Sequence, residues 1–356
     1  MKQNDMMLVV LTIWLGLSSC MMYKEGELST KKPVADIDRK ENIWTVVAGN
    51  SERSKLADMR INPNKKGLLT TMFSFIGAIR GDKHKDVEAK IDQFTYLHEI
   101  KSGYERDTYT DQPYIIPYLV NNSKGAVIIV PGGGYAYKES NGGTKEGRDI
   151  AVRLNQMGIS AFLLNYRSNP YHYPAPMLDL QRAIRHIKHH AHRFQIDAHK
   201  ISVVGFSAGG NLTATFVNLI QGTRAFPANY QPDQIDALDD SVVSVAMIYP
   251  ALTYQYNVNM LYSLFDAQLV RNPSERQKLL DLTDLPQHIR PTDLPQFIAY
   301  SKKDGMVDFR GTERYVDAAR EKQIKLTIKQ LNKGNHGFSP DKYWDDYQQF
   351  LYQSFQ

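Results

Sequence analysis

Residues 201–210 read Ile-Ser-Val-Val-Gly-Phe-Ser-Ala-Gly-Gly, and no other stretch of this chain limits its fold so tightly. A buried-strand pattern runs straight into a cluster of small residues around Ser207, and a helical pattern opens at 208. Glycine loses more backbone entropy on folding than any other residue, so glycines at 205, 209 and 210 need a geometric reason. A strand-to-helix reversal supplies it, if the reversal is tight enough that larger neighbours of Ser207 would strike the flanking strand and helix. Gly205-Phe206-Ser207-Ala208-Gly209 fits G-x-S-x-G, the turn that holds a serine hydroxyl at its tip. Alone the five-residue match is weak, and its place between a strand and a helix gives it weight. At that helix N-terminus, backbone N–H groups and the helix dipole favour developing negative charge.

The rest of the chain from about residue 90 suits such a turn. Strand patterns fall at 114–120, 126–130, 160–165, 201–205, 242–248, 296–301 and 324–330. Helical patterns fall between and after them, at 144–157, 176–192, 208–220, 310–322 and 341–354. Strands alternating with helices predict an α/β fold, a mostly parallel sheet with helices on both faces. The alternation breaks over 251–292. An insertion that follows a strand lands over the carboxyl edge of the sheet, where ligands bind, so this stretch is expected to form a small cap. Its tyrosines, Tyr254, Tyr256 and Tyr262, are expected to line a narrow pocket there, the alternative being that they only pack the insertion onto the domain.

A serine alone is a poor nucleophile; it needs a base, and the base needs an orienting acid. Only His288 and His336 follow Ser207. His336 sits in a loop after the last strand pattern and before the last helix, in the chain order serine, acid, histidine, and is the expected base. For the acid, Asp304 lies in the loop at the end of strand 296–301; Asp308 is close behind it and stays open, while Asp345 and Asp346 break the order. The bland reading of Asp304 is a turn residue before Gly305. An oxyanion needs N–H donors. Ala208 N–H follows the serine, and Gly132-Gly133-Gly134 follow strand 126–130, where the backbone can approach a substrate carbonyl without side-chain clash.

In order, PGGGY (131–135), LNYR (164–167), YPAP (173–176), GFSAGG (205–210), D-x-x-V (304–307) and NHGF (335–338) resemble the α/β-hydrolase superfamily serine esterases. The nearest set is the hormone-sensitive-lipase-like and acetyl-xylan-esterase-like group, and the resemblance covers about residues 112–355. It implies the α/β-hydrolase fold, a catalytic triad of Ser207, Asp304 and His336, and an oxyanion hole from Ala208 with Gly133 and Gly134 as the carried-over pair. Pro131 stands where the lipase-like branch usually has histidine, which turns the expectation toward esters of carbohydrate. The expected function is a serine esterase (carboxylic ester hydrolase) on short-chain acyl esters, carbohydrate acetyl esters among them. Two other readings remain. A peptidase of the prolyl-oligopeptidase type would share fold and triad, but residues 21–90 cannot supply its propeller. A non-catalytic binding protein on the same scaffold would have no need of all three triad members.

The N-terminal region reads differently. Residues 6–17 form an apolar run too short to span a bilayer but suited to a signal peptide. Leu17-Ser18-Ser19 then precede Cys20, the single cysteine. Small residues before a cysteine resemble a bacterial lipobox, which implies cleavage after residue 19, lipidation of Cys20 and an extracytoplasmic, membrane-anchored protein. Residues 20–89 are expected to be a polar tether and N-terminal extension, with residues 90–356 the catalytic domain. Within the extension, apolar residues from Leu68 to Ile79 recur at helical spacing beside basic residues, which suits a helix packed on the domain better than one lying on a membrane.

The formal net charge is +5, and residues 21–90 hold 14 Lys/Arg against 10 Asp/Glu. The main body therefore has no basic array, and nucleic acid is excluded as a partner. His186, His189, His190, His192 and His199 crowd one helical stretch without H-E-x-x-H, so a basic face is expected and no metal. The glycine runs match no phosphate-binding motif, and no cofactor is expected.

Overall fold

The structure, a computed structural model, describes residues 40–48, 59–62, 64, 67–81, 83–101, 112–137 and 146–356. The expected signal peptide and Cys20 lie outside the described residues.

The apolar runs form the strands β2 (Tyr114–Tyr118), β3 (Ala126–Val130), β4 (Ser160–Asn165), β5 (Ile201–Phe206), β6 (Ser244–Ile248), β7 (Gln296–Ser301) and β8 (Leu326–Leu331). With the short β1 (Glu41–Asn42) they make one eight-stranded sheet, in the order β1-β2-β4-β3-β5-β6-β7-β8. The first two pairings are antiparallel and the other five parallel. β2 to β7 are buried along their whole length, as strands covered on both faces must be, and this explains why their residues are mostly apolar, with small polar ones such as Ser202 between.

Alternate residues feed two apolar layers. On one face Ile128, Val130, Leu164 and Val203 meet Leu180 and Ile184 of α4 (Ala175–His189), Phe194 of the short α5 (Ala191–Phe194) and Leu212 of α6 (Ala208–Thr215). On the other, Ile129, Leu163 and Val204 meet Leu154 of α3 (Arg148–Gln156) and Phe350 and Leu351 of α10 (Trp344–Ser354). Register then places the site. Val130 pairs with Gly205, and Phe206 pairs with Ile248. The loops leaving β3, β5 and β6 therefore emerge side by side at the carboxyl edge. The helix expected over 208–220 changes at Phe216 into a five-residue π turn ending at Ile220.

The N-terminal extension departs from its expected form. The boundary expected at residue 90 falls inside α2 (Val87–Lys101), which packs with α1 (Leu68–Arg80). Phe75 stacks on Phe94 with ring centroids 4.6 Å apart, and both rings join the main core with Ala78, Ile79 and Ile91. α1 is thus a packed helix. Among the described residues no helix is long and apolar enough to cross a membrane. Further upstream, Ile43, Trp44, Val47 and Ala48 are core residues. The Trp44 indole donates to Asp179 Oδ1 at 2.9 Å, and the Arg182 guanidinium lies 4.9 Å over its ring and donates to the Ile43 carbonyl. Asp179 is itself locked to Arg167, both side chains fully buried. Residues 40–48 are therefore part of the folded unit and not a tether. Their polar neighbours hid four apolar anchors.

The insertion at 251–292 is a cap, but only half of one. It holds a 3-10 turn (Val258–Ser263), α7 (Ala267–Arg271), α8 (Pro273–Leu282) and a second 3-10 turn (Leu285–Gln287). Asn259 of the first turn donates to the carbonyls of Ala78 and Gly81 at 2.8 and 2.7 Å. The carbonyls at the end of α1 thus gain a partner from another part of the chain. α1, α2 and the insertion thus form one composite cap. Tyr254 and Tyr262 are buried in the core, while Tyr256 is 37% exposed beneath the Arg310 guanidinium, 4.4 Å from its ring centre. The expected pocket of three tyrosines is not formed: two of them pack the insertion onto the domain.

Candidate active site

Ser207 stands at the tip of the turn between β5 and α6 with φ 51° and ψ −115°. This is a strained conformation for a residue with a side chain, and such strain persists only where the surroundings over-determine it. They do so here. The Ser207 N–H donates to the Ile248 carbonyl at 2.9 Å. A Cβ at Gly205 would lie 2.1 Å from the Gly209 carbonyl oxygen, and one at Gly209 would lie 2.0 Å from that of Val130. The small residues are where strand and helix backbones nearly touch.

Two further loops deliver the partners. Asp304 follows β7; its Oδ1 accepts the N–H groups of Met306 and Val307 at 2.8 and 2.9 Å, which aims Oδ2 at His336. His336 follows β8. Its Nδ1 lies 2.7 Å from Asp304 Oδ2 and its Nε2 lies 2.8 Å from Ser207 Oγ. With Nδ1 protonated toward the carboxylate, Nε2 is left to accept the serine proton. Asn335 clasps the two loops, since its Oδ1 accepts both Gly305 N–H and His336 N–H at 2.9 Å. Ser301 adds a second tie by donating to the Gly334 carbonyl at 2.6 Å. The rival residues are engaged elsewhere: Asp308 caps α9 (Phe309–Glu321) and pairs with Arg310, and His288 Nε2 bonds the Asp281 carbonyl.

The imidazole is 18% exposed. Burial alone would favour its neutral form. The charge and hydrogen bond of Asp304, with the charge of Glu146, outweigh that and raise its pKa above the ordinary histidine value. A base with a raised pKa is a stronger proton acceptor, and its charged form is stabilised in place.

The glycine loop lies against the serine. A Cβ at Gly132 would stand 2.9 Å from Ser207 Cβ. Gly133 and Gly134 have φ 125° and 61°, and Tyr135 follows at 54°. The loop is pinned by Tyr166, whose hydroxyl donates to the Pro131 carbonyl at 2.8 Å, and by Tyr135, whose hydroxyl donates to Asn211 Oδ1 at 2.8 Å. Gly132 N–H is already given to Glu146 Oε2 at 2.7 Å. Ala208 opens α6 and so has an N–H with no intrahelical acceptor. From the cap, Phe75 and Met260 close on Gly134, their side chains 3.1 and 3.7 Å from where a Cβ would be.

Sequence reasoning brought the serine, acid, base and glycines together, but it missed Glu146, Tyr249 and Phe75. Tyr249, with φ 40°, lays its ring against His336 at 5.0 Å and donates its hydroxyl to Glu146 Oε1 at 2.9 Å. No local pattern marks these three, because each reaches the site only through the fold. Asn335 was within reach, being part of the NHGF run.

The histidine-rich helix also differs from a purely basic face. Glu41, His186 and His190 bring potential ligand atoms within 4.8 Å of one another. Glu41 Oε1 already bonds His186 Nε2 at 2.7 Å and pairs with Arg193, whose cation stands where a metal would need the carboxylate.

A mostly parallel sheet carrying a serine on a strained strand–helix turn, with aspartate and histidine after the last two strands, defines the α/β-hydrolase class. Within that class the chain belongs to the BD-FAE family, whose model matches residues 115–318, more than half of its length. It is 26% identical over 250 residues to endo-1,4-beta-xylanase B of Butyrivibrio fibrisolvens, covering 68% of this chain and 37% of that protein. It is 33% identical over 101 residues to acetylxylan esterase of Xylanibacter ruminicola, covering 28% of this chain and 20% of that one. The chain thus spans well under half the length of these curated relatives. Among solved structures it resembles the acetyl ester-xyloside bifunctional hydrolase from Caldicellulosiruptor lactoaceticus, with a TM-score of 0.60 and 24% identity, covering 71% of this chain and 90% of that one.

Proposed function

We propose that this chain is a serine carboxylic-ester hydrolase that acts through an acyl-enzyme on short acyl esters, acetyl groups on carbohydrate among them. The observation that carries the reading is the unbroken hydrogen-bond chain Ser207–His336–Asp304, at 2.8 and 2.7 Å, on a strained turn. Ser207 Oγ attacks the ester carbonyl as its proton passes to His336 Nε2. Asp304 holds the ring and stabilises the imidazolium. The carbonyl oxygen becomes an oxyanion, which the N–H groups of Ala208 and of Gly133 or Gly134 face. Collapse expels the alcohol, which takes the proton from Nε2. Water then attacks the acyl-enzyme with His336 again as base, releasing the acid and restoring the serine.

The acetyl and carbohydrate part of the reading has its support in the relatives, one named acetylxylan esterase, and in Phe75 and Met260, which narrow the space beside Gly134. The expected preference for acetyl and butyryl esters over long-chain ones therefore passes from the tyrosines to this pair. Lipidation of Cys20 and an extracytoplasmic, membrane-anchored location complete the proposal, supported by Leu17-Ser18-Ser19-Cys20 after a short apolar run.

The test is kcat/KM across acetyl, butyryl, octanoyl and palmitoyl p-nitrophenyl esters, beside acetylated xylan and a peptide amide panel. A maximum at acetyl or butyryl with acetate released from xylan is expected. A maximum at octanoyl or longer, or amide cleavage without ester cleavage, would overturn it. Metabolic labelling with an alkyne fatty acid tests the anchor, and a wild-type chain that takes no label sinks it.

A further inference from the structure

We propose that Glu146 is a positioning residue of this site, one carboxylate that fixes the glycine loop and also sets the charge balance of His336. The inference rests on the ester-hydrolase reading and deepens it. Glu146 stands two residues before α3, and each of its oxygens has a separate task. Oε2 accepts the Gly132 N–H at 2.7 Å, and Oε1 accepts the Tyr249 hydroxyl at 2.9 Å.

The first contact decides what the loop offers a substrate. Gly132 is squeezed between two groups: a Cβ there would be 2.9 Å from both Glu146 Oε2 and Ser207 Cβ. Its N–H points into the carboxylate and is not a donor to an oxyanion. The donors from this loop are therefore the later N–H groups, and their register beside Ser207 is set by how firmly Gly132 is held. A hydrogen bond to a charged acceptor is among the stronger ones.

The second contact decides how the base is held. The Tyr249 ring packs edge-on to His336 at 5.0 Å and is held at its far end by Glu146. Among the described residues, the charged and titratable groups around the imidazole are Asp304 at Nδ1, Glu146, and the Tyr249 phenol between Glu146 and the ring. The charges of Glu146 and of Arg153 in α3 both act on the buried Tyr343 phenol, and Arg153 is paired with Asp341 at 2.6 Å. Both carboxylates near His336 favour its protonated form. Attack by Ser207 creates an imidazolium, so a second fixed negative charge stabilises the transition state more than the resting enzyme.

The distinguishing experiment compares Glu146→Gln and Glu146→Ala with the wild type. Glutamine keeps the shape, an acceptor for Gly132 and a polar partner for Tyr249; it removes only the charge. For Glu146→Gln the acid limb of kcat/KM should move to lower pH, because the imidazole loses a group that holds its proton. Plateau kcat should fall roughly tenfold with KM little changed, the cost of one charge-assisted hydrogen bond. Glu146→Ala also frees the loop and should lose about a hundredfold, the usual cost of a misplaced reacting group. The His336 ring proton, titrated by NMR, gives a readout independent of turnover, and its midpoint should fall in Glu146→Gln. A wild-type enzyme without esterase activity would defeat the functional reading while this titration still decides the role of Glu146. Should Glu146→Gln match the wild type in pH profile, kcat and His336 titration, the proposal is wrong, and any loss in Glu146→Ala alone would mark the residue as a structural prop.

Discussion

The catalytic edge and the cap above it are built on opposite plans. At the edge, each functional group sits within a few residues of a strand end: Ser207 directly after β5, Asp304 three residues after β7, His336 five after β8. The sheet register aligns those ends, and short local contacts do the rest. The cap has no such frame. It joins α1 and α2 to an insertion nearly two hundred residues further on, and Asn259 bonded to Ala78 and Gly81 is one of its fastenings. Rigid strand ends suit groups that must hold position to fractions of an ångström. A surface assembled from distant segments suits groups that choose among substrates. The lesson is a division of labour: the edge should govern rate, and the cap should govern which ester enters.

The sharpest attempt to break this division begins at the serine. Ser207→Ala should reduce kcat by up to about a million-fold, as in comparable triads, with little change in thermal stability, since alanine keeps the Cβ and the turn and only the hydroxyl contact to His336 is lost. Steady-state kinetics and a melting curve on the same sample check it, and near-wild-type turnover would remove the triad altogether. Next in size, Asp304→Asn should cost about ten-thousandfold in kcat through the wrong histidine tautomer. Substrate affinity should hardly change. A variant weakened mainly in KM would show that the edge also selects substrate.

The cap should answer in the other currency. Phe75→Ala empties a buried ring position and should cost about 3 kcal/mol or more of stability, read from urea midpoints. In the fraction that stays folded, kcat/KM for octanoyl relative to acetyl esters should rise several-fold, because each methylene accommodated is worth about 1–3 kcal/mol. If acetyl turnover collapses while the chain-length ratio stays fixed, the cap serves the chemistry and the division fails.

How legible each region was follows from the same contrast. The edge could be read because its residues carry local signatures: a strand, glycines where backbones meet, and a loop after each strand. Loop position favours Asp304 as the acid and keeps Asp308 as the alternative, and the structure separates them by what each carboxylate already binds. The cap was half legible. The insertion announced itself by breaking the strand–helix rhythm, but its tyrosines misled, because aromatic composition does not say which face a ring presents. The upstream segment misled further. Ile43, Trp44, Val47 and Ala48 are four apolar residues in a polar stretch, and their partners Asp179 and Arg182 lie more than a hundred residues away. No window of sequence contains both sides of that contact.

Two smaller effects depend on pH. The raised pKa of His336 means that the acid limb of kcat/KM should lie above the ordinary histidine value. Activity falls as the ring gains its proton. The stability contributed by the same contacts has the opposite sign, being full below the unfolded pKa and lost as pH rises through the folded one. In the cap, burial pushes the Asp92 carboxyl up to about 6, partly countered by bonds from Arg60 N–H and Asn169. A proton is therefore held more tightly in the folded state, and stability from this group declines as pH rises from about 4 to about 6. Limited proteolysis after residue 60 should be slower at pH 5 than at pH 8. Equal cleavage rates would mean that Asp92 does not fasten the cap.

The Trp44 anchor bears on how this protein can be cut and joined. A gene fragment begun at residue 90 would keep the whole Ser207, Asp304 and His336 set, yet it would strip β1 from the sheet edge and the indole from Asp179, and would open the core under Phe94. Asp179 and Arg167 would then face water entering a space made for a tryptophan. The portable module must reach back at least to Glu41 and Trp44. A fusion partner or an affinity tag joined upstream of that point pulls on a strand and an indole seated in the fold, so the load falls on the edge of the sheet itself.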